Sequence, residues 1–239
     1  MKKLVVITGA SSGIGMELAK EFSKQGYPTL LLARRKEEME KLKLKNSINE
    51  SCDITNIENV EKTIKKAEEI YGKTDLLINC AGIMLLGNAT AQNYQEWNQM
   101  IDVNIKGILT TTQQVLKHMV ERNQGTIINI SSIAGHKTFD NHAIYCGTKF
   151  AVSAITESIR KEISSSNVRM ITISPGVVET PLLSHTTDNN IKDNYNEWKK
   201  TIQGGVDPQK IVECVLFAYN MPQDICVRDI VIAKTKQAD

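Results

Sequence analysis

Short runs of apolar residues alternate along the chain with longer segments in which apolar residues recur every three or four positions. The short runs are rich in Val, Ile and Leu and predict buried strands, whereas the longer spacing predicts amphipathic helices. Strands are predicted over residues 4–8, 29–33, 76–79, 126–130, 168–174 and 225–232, and a weaker strand ends at 51–54. Helices are predicted over residues 13–26, 36–45, 57–71, about 94–121, 145–164 and 208–219.

This alternation of strands and helices predicts the fold class. Such sequences form an α/β fold, a doubly wound parallel sheet with helices on both faces and right-handed crossovers. We therefore expect a Rossmann-like sheet of about seven strands. No repeat, linker or low-complexity tract divides residues 1–239, which predicts a single domain. A polar insertion at about 180–205 carries Leu182, Tyr195 and Trp198 among many polar residues.

The first predicted strand leads directly into a glycine-rich turn, TGASSGIG at 8–15, and then into a helix. Gly9 permits the tight turn, and Gly13 and Gly15 let the backbone approach a pyrophosphate. The start of the helix adds unpaired N–H groups and the positive end of its dipole. The spacing is GxxxGxG rather than GxGxxG, but the strand, turn and helix around it predict a dinucleotide site.

The end of the second strand indicates which dinucleotide is preferred. An NAD site needs an acidic residue there to bind the ribose hydroxyls, but this strand ends in Ala33-Arg34-Arg35. Arginine binds phosphate well, and an acid would repel a 2′-phosphate. The sequence therefore favours NADP(H), although one of the two arginines could simply be solvated.

Residues suited to proton transfer follow the fifth predicted strand, TIINI at 126–130. Ser131 and Ser132 come where that strand should end, and Tyr145 and Lys149 are four residues apart, which places them on one face of a helix. A free tyrosine has a pKa of about 10, and a nearby ammonium favours the phenolate. The YxxxK pattern alone is common, but the serine before it favours a catalytic set over simple packing.

Composition limits the classes of partner. The net charge is only +2 and no basic tract is present, so neither nucleic acid nor a membrane surface is an expected partner. No segment approaches the roughly 20 apolar residues of a membrane helix. The five cysteines are scattered and contain no CxxC pair, which predicts neither a disulfide framework nor a metal site. These features are typical of a cytoplasmic protein.

Further motifs accompany these features in a fixed order along the chain. They are TGASSGIG at 8–15, Cys52-Asp53, Asn79-Cys80-Ala81-Gly82, Asn104, Ser132, Tyr145 with Lys149, and Pro175-Gly176 with Thr180. With them the chain resembles the short-chain dehydrogenase/reductase family in its single-domain form, over essentially its whole length. The resemblance implies an oxidoreductase that transfers a hydride between NADP(H) and a carbonyl or secondary alcohol.

The resemblance also implies a role for individual residues. Tyr145 would be the general acid/base, Lys149 would bind the nicotinamide ribose and lower the pKa of the tyrosine, and Ser132 would hold the substrate oxygen. Asn104 would hold a water that links Lys149 to solvent. Cofactor contacts would come from Gly9, Ser11, Ser12, Gly13, Ile14, Gly15, Arg34, Arg35, Asp53, Ile54, Asn79, Ala81, Gly82, Tyr145, Lys149, Pro175, Gly176, Val178 and Thr180.

One departure from the family pattern follows the fourth predicted strand, at 76–79. The family commonly has two asparagines before Ala-Gly, and this chain has Asn79-Cys80. The hydrogen bonds that support that strand end are therefore expected to differ, while Asn79 would still flank the adenosine side of the cofactor.

The resemblance extends to a narrower branch and to assembly. Three features are similar to the NADP-dependent 3-hydroxy acid dehydrogenases, which act on serine, allo-threonine and small 3-hydroxy acids: the ERNQGTIINISSIAG stretch, the strand end at Ala33-Arg34-Arg35 and the tail from Val206 to Ile232. The insertion at about 180–205 would cover the substrate, and the chain would form a homo-oligomer, a tetramer or dimer, through the helix at about 94–121 and the helix of Tyr145. The loop histidines His136, His142 and His185 are expected to be solvated.

A second interpretation is a non-catalytic NADP(H)-binding regulatory protein. Such a protein would be expected to lack part of the catalytic set, whereas Asn104, Ser132, Tyr145 and Lys149 are all present. We therefore favour the enzyme.

Overall fold

The computed structural model describes residues 2–238, so Met1 and Asp239, the two ends of the predicted domain, lie outside the described residues. Seven strands form one sheet in this part of the chain. They are β1 (Val5–Thr8), β2 (Thr29–Ala33), β3 (Ser47–Ser51), β4 (Leu76–Asn79), β5 (Gly125–Ile130), β6 (Val168–Pro175) and β7 (Asp229–Ile232).

The strands are parallel and lie in the order β3-β2-β1-β4-β5-β6-β7. From β1 the chain first builds outward to β2 and β3, and then returns to add β4 on the other side of β1. The strand order therefore reverses between β1 and β4, and ligands of open α/β sheets bind outside the carboxyl ends of the strands at such a point. The predicted α/β fold, with a parallel sheet of seven strands, is confirmed.

Eight α-helices connect or follow the described strands. They are α1 (Gly13–Lys24), α2 (Lys36–Glu40), α3 (Ile57–Tyr71), α4 (Tyr94–Ile101), α5 (Gly107–Glu121), α6 (Ala143–Glu162), α7 (Asn189–Thr201) and α8 (Pro208–Asn220). A π-helical turn, Asp102–Lys106, joins α4 to α5, and two 3₁₀ turns lie at Ile133–Gly135 and Pro181–His185.

Helices cover both faces of the sheet and form two apolar cores. On one face, Phe22 of α1 and Val215 of α8 pack with the side chains of Val5 and Ile7. On the other face, α3 and α5 pack against the side chains of Val6 and its neighbours. Because the central strands are covered on both sides, their sequences are almost continuously apolar rather than alternating.

Four elements differ from the sequence-based prediction. The third strand lies at Ser47–Ser51 rather than ending at 51–54, and the last strand is confined to Asp229–Ile232. Both are edge strands that pair on one side only, so their residues are more polar and more exposed than those of the central strands. The second helix ends at Glu40, and the long helix at about 94–121 is interrupted by the π-helical turn.

Candidate active site

A cavity of about 1300 Å³ opens along the carboxyl edge of the sheet. Its wall includes the glycine-rich turn after β1, the ends of β2, β4, β5 and β6, the start of α6 and much of the 180–205 segment. Most of the predicted site residues lie in this wall. They are Gly9, Ser11, Ser12, Gly13, Ile14, Arg34, Arg35, Asp53, Ile54, Ala81, Gly82, Ser132, Tyr145, Lys149, Pro175, Gly176, Val178 and Thr180.

The glycine-rich turn is held in a conformation that side chains would prevent. Gly9 has a φ of 69°, and a Cβ there would lie 2.8 Å from the backbone of Ala81. A Cβ on Gly15 would collide with the carbonyl oxygen of Gly9, so the first turn of α1 packs directly on the loop. Gly15 therefore serves this packing, and it is not one of the cavity-lining residues among those described.

Positive charge collects beside this turn. The Arg35 guanidinium donates hydrogen bonds to Ser11 Oγ at 3.3 Å and to Ser12 Oγ at 3.1 Å. Arg34 and His185, which comes from the 180–205 segment, line the same cavity. Burial lowers the pKa of His185, and the two arginines lower it further. In the described part of the chain, His185 Nδ1 is one of two buried side-chain atoms without a hydrogen-bond partner.

The serine, tyrosine and lysine after β5 converge in the middle of the cavity. Ser132 precedes the 3₁₀ turn Ile133–Gly135, where its Oγ accepts a hydrogen bond from Ala134 N, and it also bonds the Tyr145 phenol. The Lys149 ammonium lies 5.7 Å from the centroid of the Tyr145 ring and donates to the Ile130 carbonyl at 3.0 Å. The helical spacing of four thus places both residues at the end of β5, as predicted.

Ser131 plays a different part from Ser132. It is buried, and its hydroxyl donates to the Lys149 carbonyl at 3.2 Å and lies 3.4 Å from Ser153 Oγ. Ser131 therefore anchors α6 to the end of β5, while Ser132 is the serine in contact with the phenol of Tyr145.

Burial dominates the ionisation of the two central groups. It raises the pKa of the Tyr145 phenol above its usual value, and the hydrogen bond with Ser132 only partly opposes this shift. It lowers the pKa of Lys149 to about 8. The raised pKa of Tyr145 follows from its almost complete enclosure, and the lowering of that pKa by the ammonium stays a prediction.

The 180–205 segment closes over the cavity and is tied down at several points. Its ends meet where Val178 bridges to Val206, and Glu179 pairs with Lys199 of α7 at 2.5 Å. Near its start, Thr186 Oγ1 accepts from Leu86 N and donates to the Met84 carbonyl. The segment contains the 3₁₀ turn and α7, so this polar insertion is largely helical.

The glycine-rich turn and the serine–tyrosine–lysine set thus lie at one edge of a parallel sheet with the order β3-β2-β1-β4-β5-β6-β7. A family model described as short chain dehydrogenase matches residues 3–191, which is most of the chain. The chain belongs to the short-chain dehydrogenase family.

Other members resemble this short-chain dehydrogenase over nearly their full length. An uncharacterized oxidoreductase of Staphylococcus saprophyticus is 40% identical over 242 residues, covering 99% of this chain and 97% of the relative. The closed form of serine dehydrogenase complexed with NADP⁺ superposes with a TM-score of 0.91 at 28% identity, covering 99% and 96% of the two chains. ElxO with NADP bound has a TM-score of 0.84 at 28% identity, covering 97% of each.

In this short-chain dehydrogenase, Asn104 lies in the π-helical turn and is fully buried. Its Oδ1 accepts from Ile83 N at 2.8 Å, and its Nδ2 donates to the Ile83 carbonyl and to Thr148 Oγ1. A Cβ on Gly82 would lie 3.3 Å from Asn104 Oδ1 and 3.8 Å from Lys149 Nζ. Asn104 thus sits directly behind the cavity wall and ties the loop after β4 to α6. Its role in holding a water stays a prediction.

Asn79 lies at the end of β4, and its contact with the adenosine side of the cofactor stays a prediction. Its side chain is buried beneath the cavity, where Nδ2 donates to Asn129 Oδ1 at 2.8 Å and Oδ1 accepts from Thr111 Oγ1 at 2.6 Å. It is absent from the cavity wall formed by the described residues. The reason is strand alternation: Asn79 is the last residue of β4, and this side chain points to the face that α5 covers.

The backbone at Cys80, where this chain departs from the short-chain dehydrogenase pattern, is held by β1. Thr8 Oγ1 accepts hydrogen bonds from the backbone N–H groups of both Cys80 and Ala81, each at 3.0 Å. The Thr8 hydroxyl and the Asn79–Asn129 hydrogen bond therefore hold this strand end without a contribution from the side chain at position 80.

Sequence reasoning missed several residues of the cavity wall. His142 and His185, which were expected to be solvated, are half-buried there, whereas His136 lies outside and contacts Ser174 and Asp229. Gln237, close to the end of the chain, also lines the cavity and accepts from Val177 N at 3.1 Å. The spacing could have identified His142 as a cavity residue, because it lies three residues before Tyr145 and residues one helical turn apart are neighbours. Gln237 has no such signal.

Proposed function

We propose that this chain is an NADP(H)-dependent oxidoreductase that interconverts a carbonyl and a secondary alcohol. The observation that carries the proposal is the meeting of Ser132, Tyr145 and Lys149 in the same cavity as the glycine-rich turn and the arginine pair. A proton-transfer group and a phosphate-binding turn along one sheet edge are what hydride transfer with a dinucleotide requires.

The residues along the cavity fit NADP(H). The turn around Gly9 leaves room at the start of α1 for the backbone to approach a pyrophosphate. Arg35, fixed on the two loop serines, would hold the 2′-phosphate together with Arg34. Both bound-cofactor relatives, the serine dehydrogenase and ElxO, carry NADP, which supports the same choice here.

Each group of the central set would have a separate task. The bound nicotinamide would supply or accept the hydride. Tyr145 would donate its phenolic proton to the substrate oxygen during reduction and accept it during oxidation. The Ser132 hydroxyl would bond the same oxygen, and the Lys149 ammonium would stabilise negative charge that develops on the phenol oxygen. Asn104, by holding the loop after β4 against α6, would position the lysine.

The first experiment is a turnover panel in both directions, followed by the absorbance of the reduced nicotinamide. Secondary alcohols and hydroxy acids would be offered with NADP⁺, and ketones and aldehydes with NADPH. We expect turnover of at least one compound, with NADP(H) preferred over NAD(H). A protein that binds NADPH but turns over nothing in a broad panel would contradict the proposal and favour the non-catalytic regulator.

The resemblance suggests small 3-hydroxy acids as a narrower substrate class, and a serine dehydrogenase is among the similar structures. That class carries a carboxylate, which needs a positively charged partner in the cavity.

We also infer that the chain forms a homo-oligomer through its helices. Large apolar side chains are exposed on α4, α5 and α6: Tyr94, Leu109, Val120 and Phe150. Exposed apolar surface of this kind is typical of an interface. Light scattering coupled to size-exclusion chromatography should give a mass that is a multiple of the chain mass, and the mass of one chain at micromolar concentration would contradict the inference.

We propose that the protein is cytoplasmic because its cysteines are free thiols. All five cysteines are free, and burial raises the pKa of Cys52, Cys80 and Cys146, which keeps these thiols unreactive. No helix among the described residues is long and apolar enough to cross a membrane.

A further inference from the structure

The part of the cavity beside Tyr145 is lined mainly by apolar and aromatic side chains. We call this group the substrate-end cluster: Leu85, Phe139, Leu182, Leu183, Ile191 and Tyr195. These residues come from the loop after β4, the loop before α6 and the 180–205 segment, so three separate parts of the chain contribute apolar surface to one place. Apolar walls with a few polar groups are typical of sites for uncharged small molecules.

His142 is a polar group within this apolar surrounding. Its ring centroid lies 6.3 Å from those of both Tyr145 and Tyr195 and 5.6 Å from that of Phe139. Its Nδ1 is 2.6 Å from the Asp140 carbonyl oxygen. A carbonyl oxygen can only accept, so Nδ1 must carry the hydrogen, and in the neutral ring Nε2 then carries the lone pair.

The surroundings of His142 keep the imidazole neutral. Burial lowers its pKa, and the carbonyl and carboxylate of Asp140 only partly oppose the shift. The loop that carries the ring is fixed, because the Asn141 carbonyl accepts a hydrogen bond from Gly87 N at 3.0 Å. The histidine therefore presents an acceptor rather than a positive charge.

The charged groups of the cavity wall are unevenly distributed. Among the described residues, the lysines and arginines in the wall are Arg34, Arg35, Lys149 and Lys199. The arginines lie at the end of β2, Lys149 is bonded to the Ile130 carbonyl, and Lys199 is paired with Glu179. In the described part of the wall the acids are Asp53, Glu96, Asp102 and Asp140, and Asp140 lies two residues before His142. A carboxylate beside Tyr145 would thus meet the lone pair of His142, and the cation beside Tyr145, Lys149, is already bonded to the Ile130 carbonyl.

We propose that the substrate of this enzyme is an uncharged carbonyl compound or alcohol with an apolar body, and that His142 is the specificity-determining residue that excludes carboxylates. The proposal rests on the proposed oxidoreductase function and narrows its substrate class. It departs from the 3-hydroxy acids that the resemblance suggests, because burying a carboxylate without a positively charged partner strongly weakens binding.

The test compares an acid with its own ester. 3-Hydroxybutyrate and ethyl 3-hydroxybutyrate have the same reacting carbon and differ in the charge of one end, and 4-phenyl-2-butanol adds an uncharged substrate with a larger apolar body. With NADP⁺ and the full-length protein, kcat/KM for the ester should exceed that for the acid by at least about tenfold. Equal values for the two, or a preference for the acid, would overturn the proposal.

Two variants separate charge from shape. His142→Arg adds a permanent cation, and it should raise the ratio of acid to ester activity by at least about tenfold. His142→Asn keeps a neutral polar side chain and should continue to prefer the ester. NADPH affinity, measured by calorimetry, reports folding of both variants independently of turnover. An unchanged ratio in a His142→Arg protein that binds NADPH normally would remove His142 from the proposal.

The experiment distinguishes failure of the oxidoreductase assignment from failure of the substrate class alone. If no alcohol in the set reduces NADP⁺ although the protein binds the cofactor, the oxidoreductase assignment is wrong and the substrate class falls with it. If the acid is turned over better than the ester, the oxidoreductase assignment stands and only the substrate class is wrong.

Discussion

Replacing Tyr145 with phenylalanine should lower kcat by about 1000-fold, the scale expected when a general acid/base is removed. The phenol is the group that bonds Ser132 and lies beside the Lys149 ammonium, so the exchange removes the proton that would move to or from the substrate oxygen. The aromatic ring and its packing against the substrate-end cluster are retained. NADPH affinity should therefore change by less than about threefold.

The measurement is steady-state turnover of the best substrate in the panel, with cofactor affinity determined separately by calorimetry. Tyr71→Phe is a matched control. Tyr71 ends α3, is partly buried against the core on the face of the sheet that α3 and α5 cover, and is absent from the described cavity wall. It should leave turnover within about twofold. Near-normal turnover in the Tyr145 variant would exclude this tyrosine as the proton-transfer group.

Replacing Arg34 and Arg35 together with alanine should weaken NADPH binding by about 100-fold and NADH binding by less than about threefold. A charge-assisted hydrogen bond contributes about 1.5–3 kcal/mol, and only NADPH carries the 2′-phosphate that would receive it. Arg35 is already oriented by its bonds to Ser11 and Ser12, so little conformational freedom would be lost when the phosphate binds.

Affinities for the two cofactors should be measured on the same preparation at one ionic strength, because exposed charges are screened by salt. Lys36→Ala provides the control, since Lys36 follows the arginines in the chain, pairs with Glu40 and lies outside the described cavity wall. It removes one neighbouring positive charge and should leave the ratio of the two affinities unchanged. Equal losses for NADPH and NADH in the double variant would show that the 2′-phosphate is bound elsewhere.

The central part of the fold could be predicted because burial leaves a strong pattern in the sequence. Val5, Ile7 and Leu30 are fully enclosed, and a strand covered on both faces has to be apolar throughout. At the edges the pattern is weaker: β3 reads SINES, and its half-exposed residues predicted a strand but not its exact position. Helix α7 did have a signal, Asp188 as N-cap followed by Ile191, Tyr195 and Trp198 at helical spacing, beneath its polar composition.

The candidate site divides in a similar way. Tyr145, Lys149 and Ser132 could be placed because helical spacing and the end of a strand determine where such side chains meet. The hydrogen-bond partners of Asn79 could not be predicted, because Asn129 and Thr111 lie far away in the chain. The ionisation of Tyr145 depends on how completely the folded chain encloses it, and spacing carries no information about enclosure.

The π-helical turn at Asp102–Lys106 amounts to one residue inserted into an otherwise regular helix. Each residue of an α-helix turns it by about 100°, so the insertion rotates α4 by about that angle relative to α5. The helix can then present Val115 to the sheet and Met100 to the surroundings of Tyr145. A regular helix without this turn could direct only one of the two side chains correctly. The gain or loss of a single residue here would therefore disturb either the packing of the core or the shape of the active site.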